Sequence, residues 1–355
     1  MSIPVSIAVA IDRVMGVMSS VAQGTDEEHQ DTRRDLEQYY DLPLEKAFPE
    51  PPVPENVYLS ASKTSRQITA EEFRFDSAHE PLCEAYQRRH AREYPLNLQV
   101  CGRIFRHLDE RPRPMALYIH GWMEPGPAVE ERVLFPRFLK DLDIDVAHIH
   151  LPFHGKRRPP HTPFHGMHFW TSDLVRSFEA MRQSVSDVRQ LVRYLKQRFG
   201  RPVGLVGVSL GGVVTMAAAC ADAGIDFAIP IISHLSMADI VTRAPILAKM
   251  NGDLEKWGVT REELERIEKR LGLNRFPPLV PKERQLWIAA RHDLYVHADA
   301  VEKQWENWGR PPIRWYEGSH LSIVFEIPQI LAWCGEFLEG TGLLPRHGME
   351  RKKKK

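Results

Sequence analysis

Cysteine is scarce in this chain, with four residues in 355, and no two of them form a Cys-x-x-Cys pair. Cys220 and Cys334 fall inside apolar stretches with helical periodicity, which is typical of reduced thiols buried in a core. This cysteine usage favours a reducing compartment, and we expect a cytoplasmic location.

An excess of one charge sign is also lacking, because 47 basic and 47 acidic side chains give a formal net charge of zero. A balanced chain gives no indication of a nucleic-acid partner or of an acidic surface as partner. Uninterrupted apolar runs of about 18 residues are absent as well, so no transmembrane span is predicted. The hydrophobic content of 43% is nevertheless sufficient for a sizeable core.

Residues 1–22 are apolar but do not resemble a signal peptide, because no basic segment precedes them and Asp12 and Arg13 interrupt the run. Their apolar positions recur at helical spacing and predict an amphipathic helix. That helix lacks the lysines and arginines expected of one that lies on an anionic membrane. We expect it to dock on the domain or on a second subunit, the latter giving a homodimer through this helix.

From about residue 68, strand-like and helix-like patterns alternate, which predicts an α/β fold whose mostly parallel sheet of about eight strands is covered on both faces. We expect residues 1–67 to form an N-terminal helical extension with a proline-rich strap, residues 68–340 the domain, and residues 341–355 a basic tail. Residues 233–281 lie between two predicted core strands and are mostly helical. They are interpreted as a lid-like insertion, with a merely decorative insertion as the alternative.

A Gly-x-Ser-x-Gly turn at residues 207–211 connects a short buried strand to an apolar helix. Gly207 and Gly211 flank Ser209 at positions where a side chain would clash with the close approach of strand and helix. The N-terminus of the following helix would direct N–H groups and the positive end of its dipole toward an anion beside Ser209. This setting predicts that Ser209 is a nucleophile.

A nucleophilic serine needs a base that accepts its proton, and candidate partners follow later in the chain. Asp293 and His320 each follow a predicted strand. Because ligands of open α/β sheets bind at the carboxyl ends of the strands, both should converge with Ser209 on one edge. We expect His320 to act as general base and Asp293 as the acid that orients it. Asp239 is the alternative acid, although it lies farther from its strand end, and Glu317 is too close to His320 in sequence.

An oxyanion hole needs two N–H donors beside the nucleophile. Leu210, which directly follows Ser209, should supply one of them. The second should come from the loop after the predicted strand at 115–119, where we expect the N–H of Trp122, with Met123 as a reserve.

Together these features resemble the α/β-hydrolase family of serine enzymes over about residues 68–340. His120-Gly121 resembles the oxyanion strand end of that family, and residues 207–211 resemble its nucleophile elbow. The Pro-Phe-His-Gly loop at residues 152–155 resembles the corresponding loop of the dienelactone-hydrolase-like and prolyl-oligopeptidase-like branches. The resemblance implies hydrolysis of an ester, thioester or amide without a cofactor.

A dense group of histidines provides an alternative chemistry within residues 148–168: His148, His150, His154, His161, His165 and His168. His148 and His150 would share one face of a strand, a spacing that a metal site can use. No nearby carboxylate or cysteine completes a ligand set. We therefore predict no metal, and a metal-dependent hydrolase built on this cluster is kept as an alternative.

His154, Phe169 and Trp170 are expected to bind substrate. Phe169 and Trp170 belong to an aromatic-rich patch with Phe164, His165 and Met167 that can form an apolar wall opposite Trp122, whereas His154 belongs to the histidines, some of which we expect at the mouth of the pocket. Core packing is the alternative interpretation of this aromatic patch. We expect a serine hydrolase that cleaves a small or medium carboxylic ester through an acyl-enzyme on Ser209. Peptidase or acyltransferase activity would use the same residues, and a non-catalytic α/β-hydrolase fold used for binding is an alternative of another class.

Overall fold

A computed structural model of the protein describes residues 3–22, 32–64, 67–109, 111–124 and 129–345. Within these ranges the chain forms nine strands and eleven α-helices. The strands are β1 Tyr58–Thr64, β2 Ile68–Asp76, β3 Gln99–His107, β4 Met115–Ile119, β5 Asp145–Ile149, β6 Val203–Val208, β7 Ala228–Ile231, β8 Trp287–Ala290 and β9 Ile313–Tyr316. The helices are α1 Val5–Ala22, α2 Leu44–Ala47, α3 Glu84–Glu93, α4 Phe135–Lys140, α5 Leu174–Phe199, α6 Leu210–Ala221, α7 Met237–Arg243, α8 Ala248–Lys256, α9 Arg261–Leu271, α10 Ala298–Asn307 and α11 Ile323–Gly340.

All nine strands belong to one sheet, in the order β1-β2-β3-β5-β4-β6-β7-β8-β9. The pairs from β1 to β5 are antiparallel, and every pair from β5 onward to β9 is parallel. This architecture confirms the predicted α/β fold. The strand beyond the predicted eight is β1, which lies inside the segment assigned to the extension. Its small and polar residues give no apolar pattern, because it pairs only with β2 at the sheet edge.

Helices cover both faces of the sheet and divide the core into two clusters. On one face α5 and α6 contribute the buried apolar side chains, and on the other face α4 and α11 do so. Every residue of β4 is buried between the two layers. The long helix α5 begins where the Asp173 side chain accepts the N–H of Arg176 and ends at Gly200, whose φ of 61° is left-handed.

The N-terminal helix α1 docks on its own chain, beside the predicted insertion. A Cβ on Gly16 would lie 2.9 Å from Pro245 Cβ and 3.2 Å from the Tyr295 ring, so the helix backbone approaches closely. Ser20 Oγ accepts the backbone N–H of Lys249 at 3.0 Å. The outer side of α1 exposes apolar side chains, among them Ile7, Val14, Val17 and Met18. Docking on the domain is therefore realised, and a homodimer through α1 stays a prediction.

The segment at 233–281 contains α7, α8 and α9 and lies between β7 and β8. Its action as a lid stays a prediction, as does the division of the chain at residues 67 and 340. Most of the predicted basic tail, from residue 346 onward, lies outside the described residues. Among the helices of the described ranges, none combines the length and the apolar character that crossing a bilayer requires.

Candidate active site

Ser209 lies at the carboxyl end of β6, on the turn that leads into α6. Its backbone has φ 55° and ψ −116°, which a residue other than glycine adopts only under strain. A Cβ on Gly207 would overlap the Gly211 carbonyl group, and a Cβ on Gly211 would overlap the Ile119 carbonyl group. The N–H of Ser209 donates to the Ile231 carbonyl oxygen at 2.9 Å. The turn therefore presents the serine at the sheet edge in a fixed conformation.

A continuous chain of hydrogen bonds connects the three residues predicted to act together. Ser209 Oγ lies 2.9 Å from His320 Nε2, and His320 Nδ1 lies 2.8 Å from Asp293 Oδ2. The other carboxylate oxygen, Asp293 Oδ1, accepts the N–H groups of Tyr295 and Val296 at 2.7 Å and 2.8 Å. With Nδ1–H donating to the carboxylate, Nε2 is the acceptor for the serine proton. The loops after β6, β8 and β9 thus bring the three residues together.

The surroundings of His320 stabilise a positive charge on its ring. Burial by itself lowers the pKa of His320, but the carboxylates of Asp293 and, with a smaller effect, Asp12 raise it above its ordinary value. The ring of Tyr295 packs against the imidazole with a centroid separation of 4.8 Å. A proton accepted from Ser209 would therefore be held on a ring whose position is restrained.

The two other carboxylates considered from the sequence have different partners. Asp239 in α7 pairs with Arg243 at 2.8 Å, and its carboxylate lies 3.5 Å from His234 Nε2. Burial raises the pKa of Asp239, but His234 and Arg243 outweigh that effect and hold the pKa below its ordinary value. Glu317 is exposed and pairs with His292 at 3.0 Å. The geometry therefore favours Asp293 as the acid.

An apolar cavity of about 400 Å³ opens beside Ser209. Its wall consists mainly of aliphatic and aromatic side chains, among them Phe138, Val213, Leu247 and Ile330. Trp170 lies on this wall, as predicted from the sequence. His154 and Phe169 are completely buried beneath it, with their ring centroids 5.8 Å apart. The structure does not place these two side chains at the cavity, because their loop folds back and packs on itself.

The two segments that carry the predicted oxyanion donors both adjoin Ser209. Leu210 begins α6, and the first N–H groups of a helix have no acceptor within that helix. Trp122 lines the cavity, and its indole N–H donates to a carbonyl oxygen of the neighbouring loop at 2.8 Å. A Cβ on Gly121 would lie 3.8 Å from Ser209 Cβ, so this loop contacts the serine. Met123, the reserve donor, has a left-handed φ of 65°.

Four buried histidines pack side by side behind the loop after β4: His120, His148, His150 and His154. Burial lowers the pKa of all four, to about 4 for His120 and about 3 for His150, so they are neutral at pH 7. The His120 ring links two loops, since Nδ1–H donates to the Gly121 carbonyl and Nε2 accepts the N–H of Leu151. In the part of the chain that the structure describes, no group of three or more His, Cys, Asp or Glu side chains is arranged to hold a metal ion.

Two acidic features of the site were missed in the sequence. Asp12 of α1 is completely buried and its Oδ2 accepts the backbone N–H of His320 at 2.8 Å. A lone acid on the inner face of an apolar helix was the available signal, although it was interpreted only as an interruption. Glu124 and Glu130 line the cavity, and burial together with Glu130 raises the pKa of Glu124. No pattern in the sequence pointed to this second pair.

The sequence matches the model of the alpha/beta hydrolase family over residues 116–341, more than half of the chain. The chain belongs to the α/β-hydrolase family. The matched region contains Ser209, Asp293 and His320, and membership of the α/β-hydrolase family supports hydrolase activity. Uncharacterized proteins of two Mycobacterium tuberculosis strains are each 27% identical over 313 residues, spanning 86% of this chain and 72% of the relative.

Solved esterase structures share the overall fold of this α/β hydrolase. An acetyl xylan esterase from a Paenibacillus species has a TM-score of 0.59 at 13% identity, covering 89% of this chain and 97% of its own. Acetyl xylan esterase 1 from a Thermoanaerobacterium species has a TM-score of 0.54 at 12% identity, covering 92% of this chain and 99% of its own. At such low identity the likeness concerns the fold alone.

Proposed function

We propose that this α/β hydrolase is a serine esterase that cleaves carboxylic esters through an acyl-enzyme on Ser209. The observation that carries the proposal is the hydrogen-bonded chain from Ser209 through His320 to Asp293, beside an apolar cavity. The esterase names of proteins with the same fold agree with this reaction. Thioester and amide cleavage would use the same three residues.

The first half-reaction transfers the acyl group to the serine. His320 Nε2 accepts the hydroxyl proton while Ser209 Oγ attacks the ester carbonyl carbon. Asp293 stabilises the resulting imidazolium, which then donates that proton to the departing alcohol oxygen as the ester C–O bond breaks. The N–H groups of Leu210 and Trp122 are assigned to the oxyanion, and the loss of one such donor typically costs about 3–4 kcal/mol of transition-state stabilisation.

The second half-reaction returns the enzyme to its starting state. His320 Nε2 takes a proton from water, and the water oxygen attacks the acyl carbon of the Ser209 ester. The proton then passes to Ser209 Oγ as the new carboxylic acid leaves. The proton therefore shuttles through one ring nitrogen, while Asp293 keeps the opposite nitrogen protonated throughout.

The composition of the cavity wall supports an ester with an apolar part of small or medium size. Each methylene group that leaves water for an apolar wall contributes about 0.8 kcal/mol, so a site of this kind favours alkyl or aryl groups. The acids on the described wall are Glu124 and Glu130, and burial raises the pKa of both. An anionic substrate would approach these acids without a compensating lysine or arginine on that wall, which disfavours it.

The cellular setting remains part of the proposal. All four cysteines are free and buried, which fits the reducing cytoplasm favoured by the sequence.

A homodimer through α1 would cover the apolar side chains on the outer side of this helix. A measurement of the molecular mass in solution would test it.

The experiment that tests the esterase proposal combines active-site labelling with variants. Purified protein is treated with a fluorophosphonate, and the adduct is located by mass spectrometry. We expect labelling at Ser209, and we expect Ser209→Ala to abolish labelling and the hydrolysis of para-nitrophenyl butyrate. Ser233→Ala is the matched control, since that serine is buried nearby but contacts Met216. A folded wild-type protein without an adduct at Ser209 would refute the proposal, and chelator-sensitive activity in Ser209→Ala would favour a metal-dependent hydrolase instead.

A further inference from the structure

The inner face of α1 carries an acid at its centre. Ala8, Asp12 and Gly16 follow one another at four-residue spacing and are all buried, so they form the stripe by which the helix docks. Asp12 is 0% exposed. A buried carboxylate is unfavourable unless hydrogen-bond donors surround it. The donors around Asp12 therefore indicate what this residue does.

Three of those donors come from consecutive residues of the His320 loop, and a fourth, the N–H of Leu294 at 3.5 Å, comes from the Asp293 loop. Asp12 Oδ2 accepts the N–H of His320 at 2.8 Å, and Asp12 Oδ1 accepts the N–H of Leu321 at 2.9 Å. Ser319 Oγ lies 2.9 Å from Asp12 Oδ1 and also 2.9 Å from the Ala8 carbonyl oxygen. Hydrogen bonds to a carboxylate are roughly twice as strong as those between neutral groups. The loop is thus held through the Ser319 side chain and through the backbone N–H groups of His320 and Leu321.

The same residue also contacts the loop of the acid. The carbonyl oxygen of Asp12 accepts the hydroxyl of Tyr295 at 2.7 Å. Tyr295 in turn donates its N–H to Asp293 and packs its ring on His320. One turn of α1 therefore contacts both loops that carry the partners of Ser209, in addition to the insertion at Pro245.

We propose that Asp12 is a positioning residue that fixes the His320 loop, so that α1 completes the active site from the opposite end of the chain. The inference rests on the proposed function, because it takes His320 as the base. It goes beyond that function because α1 lies outside the region matched by the family model, which begins at residue 116.

Asp12→Asn is the test variant, because the amide has nearly the same size but presents an NH₂ group to one of the N–H donors. Arg13→Gln is the matched control, since it removes a charge from the adjacent, exposed position of the same helix. We expect the fluorophosphonate labelling rate and kcat of Asp12→Asn to fall about 10- to 100-fold, because displacing a catalytic group by about 1 Å can cost roughly 100-fold. KM should stay close to the wild-type value, since the cavity wall is unchanged. Arg13→Gln should behave like the wild type.

The pH profile separates positioning from a general loss of structure. The titratable groups that face His320 are Asp293, Asp12 and Tyr295. Removing the Asp12 charge lowers the pKa of His320, so the acid limb of kcat/KM should move to lower pH in Asp12→Asn. Ser319→Ala keeps that charge and removes one donor. It should lower kcat by a smaller factor and leave the acid limb in place.

Hydrogen exchange measures the contact of Asp12 with the His320 loop without requiring turnover of a substrate. The amides of His320 and Leu321 should exchange faster in Asp12→Asn than in Arg13→Gln. The inference is overturned if Asp12→Asn matches Arg13→Gln in kcat, acid limb and exchange, or if both variants lose activity equally. Absence of Ser209 labelling in the wild type would instead refute the esterase proposal, and faster exchange in Asp12→Asn would still support the positioning contact.

Discussion

Replacing His148 with leucine should make the protein less sensitive to acid. The His148 ring is buried against Tyr118, Phe135 and His150, and neither ring nitrogen has a hydrogen-bond partner among the described residues. Burial, followed by the neighbouring His150 and His120, holds the pKa of His148 well below its ordinary value of 6.5. The folded protein therefore keeps this ring neutral at mildly acid pH, whereas the unfolded chain takes up a proton.

The magnitude follows from that difference in proton uptake. A histidine with a depressed folded pKa contributes its full stability above pH 6.5 and loses it as the pH falls below that value. At about pH 5, proton uptake by this histidine in the unfolded chain lowers the free energy of unfolding by about 2 kcal/mol. This pH lies about 1.5 units below the ordinary pKa, and each unit corresponds to about 1.36 kcal/mol. Leucine binds no proton. The free energy of unfolding of His148→Leu minus that of the wild type should thus be about 2 kcal/mol larger at about pH 5 than at about pH 8.

Urea unfolding followed by tryptophan fluorescence at the two pH values measures this double difference. Subtracting the wild type cancels the contributions of groups common to both chains, including Glu124, whose raised pKa acts in the opposite direction. Phe138→Leu is the control, because it alters the same core cluster without removing a titratable group. If His148→Leu differs from wild type by the same amount at both pH values, the reasoning is refuted.

Three further predictions follow from the site and its supports. Asp293→Asn should lower kcat for para-nitrophenyl butyrate by about 10⁴-fold, because the amide favours the wrong imidazole tautomer. Asp239→Asn should affect stability rather than turnover. If Asp239→Asn lowers kcat more than Asp293→Asn does, Asp239 is the acid. Gly211→Ala should greatly reduce the yield of folded protein, since its Cβ would overlap the Ile119 carbonyl. Gly252→Ala is the contrasting variant, because a Cβ at this position of α8 meets no atom within 4 Å. It should raise the free energy of unfolding by about 0.5–1 kcal/mol in the same urea assay. Glu124→Gln should stabilise the protein at about pH 8 more than at about pH 5, because a carboxyl with a raised folded pKa destabilises the fold as the pH rises; equal effects at both pH values would contradict this.

Sequence reasoning located most directly the candidate site residues that lie beside regular structure. Ser209, Asp293 and His320 each follow a strand that could be recognised from its apolar residues. Parallel strands place their carboxyl ends at one edge, so the convergence of these residues needed no knowledge of the tertiary contacts. The confirmed α/β fold rests on the same alternation of strands and helices.

The features that were missed or misplaced depend on packing contacts that local sequence patterns do not show. His154 and Phe169 have the composition of a binding wall, but their loop packs on itself beneath Trp170. β1 is recognisable only through its pairing with β2, since the residues after Tyr58 and Leu59 are small or polar and show no apolar alternation. The role that we propose for Asp12 depends on a loop more than 300 residues later, and local periodicity carries no information about that distance.

The separation between α1 and its partners has a consequence for how the chain folds. Its hydrogen bonds with residues 319–321 span 307 to 311 positions, so the docking surface for this helix is completed only after more than 300 further residues have been synthesised. Until then the apolar side chains of α1 and the Asp12 carboxylate lack the partners that they have in the folded protein. Contacts between such distant residues form slowly, and the apolar surface that stays exposed until they form promotes aggregation. Helix α1 is therefore among the last elements to reach its native position, and we expect the refolding yield to be especially sensitive to substitutions on its inner face.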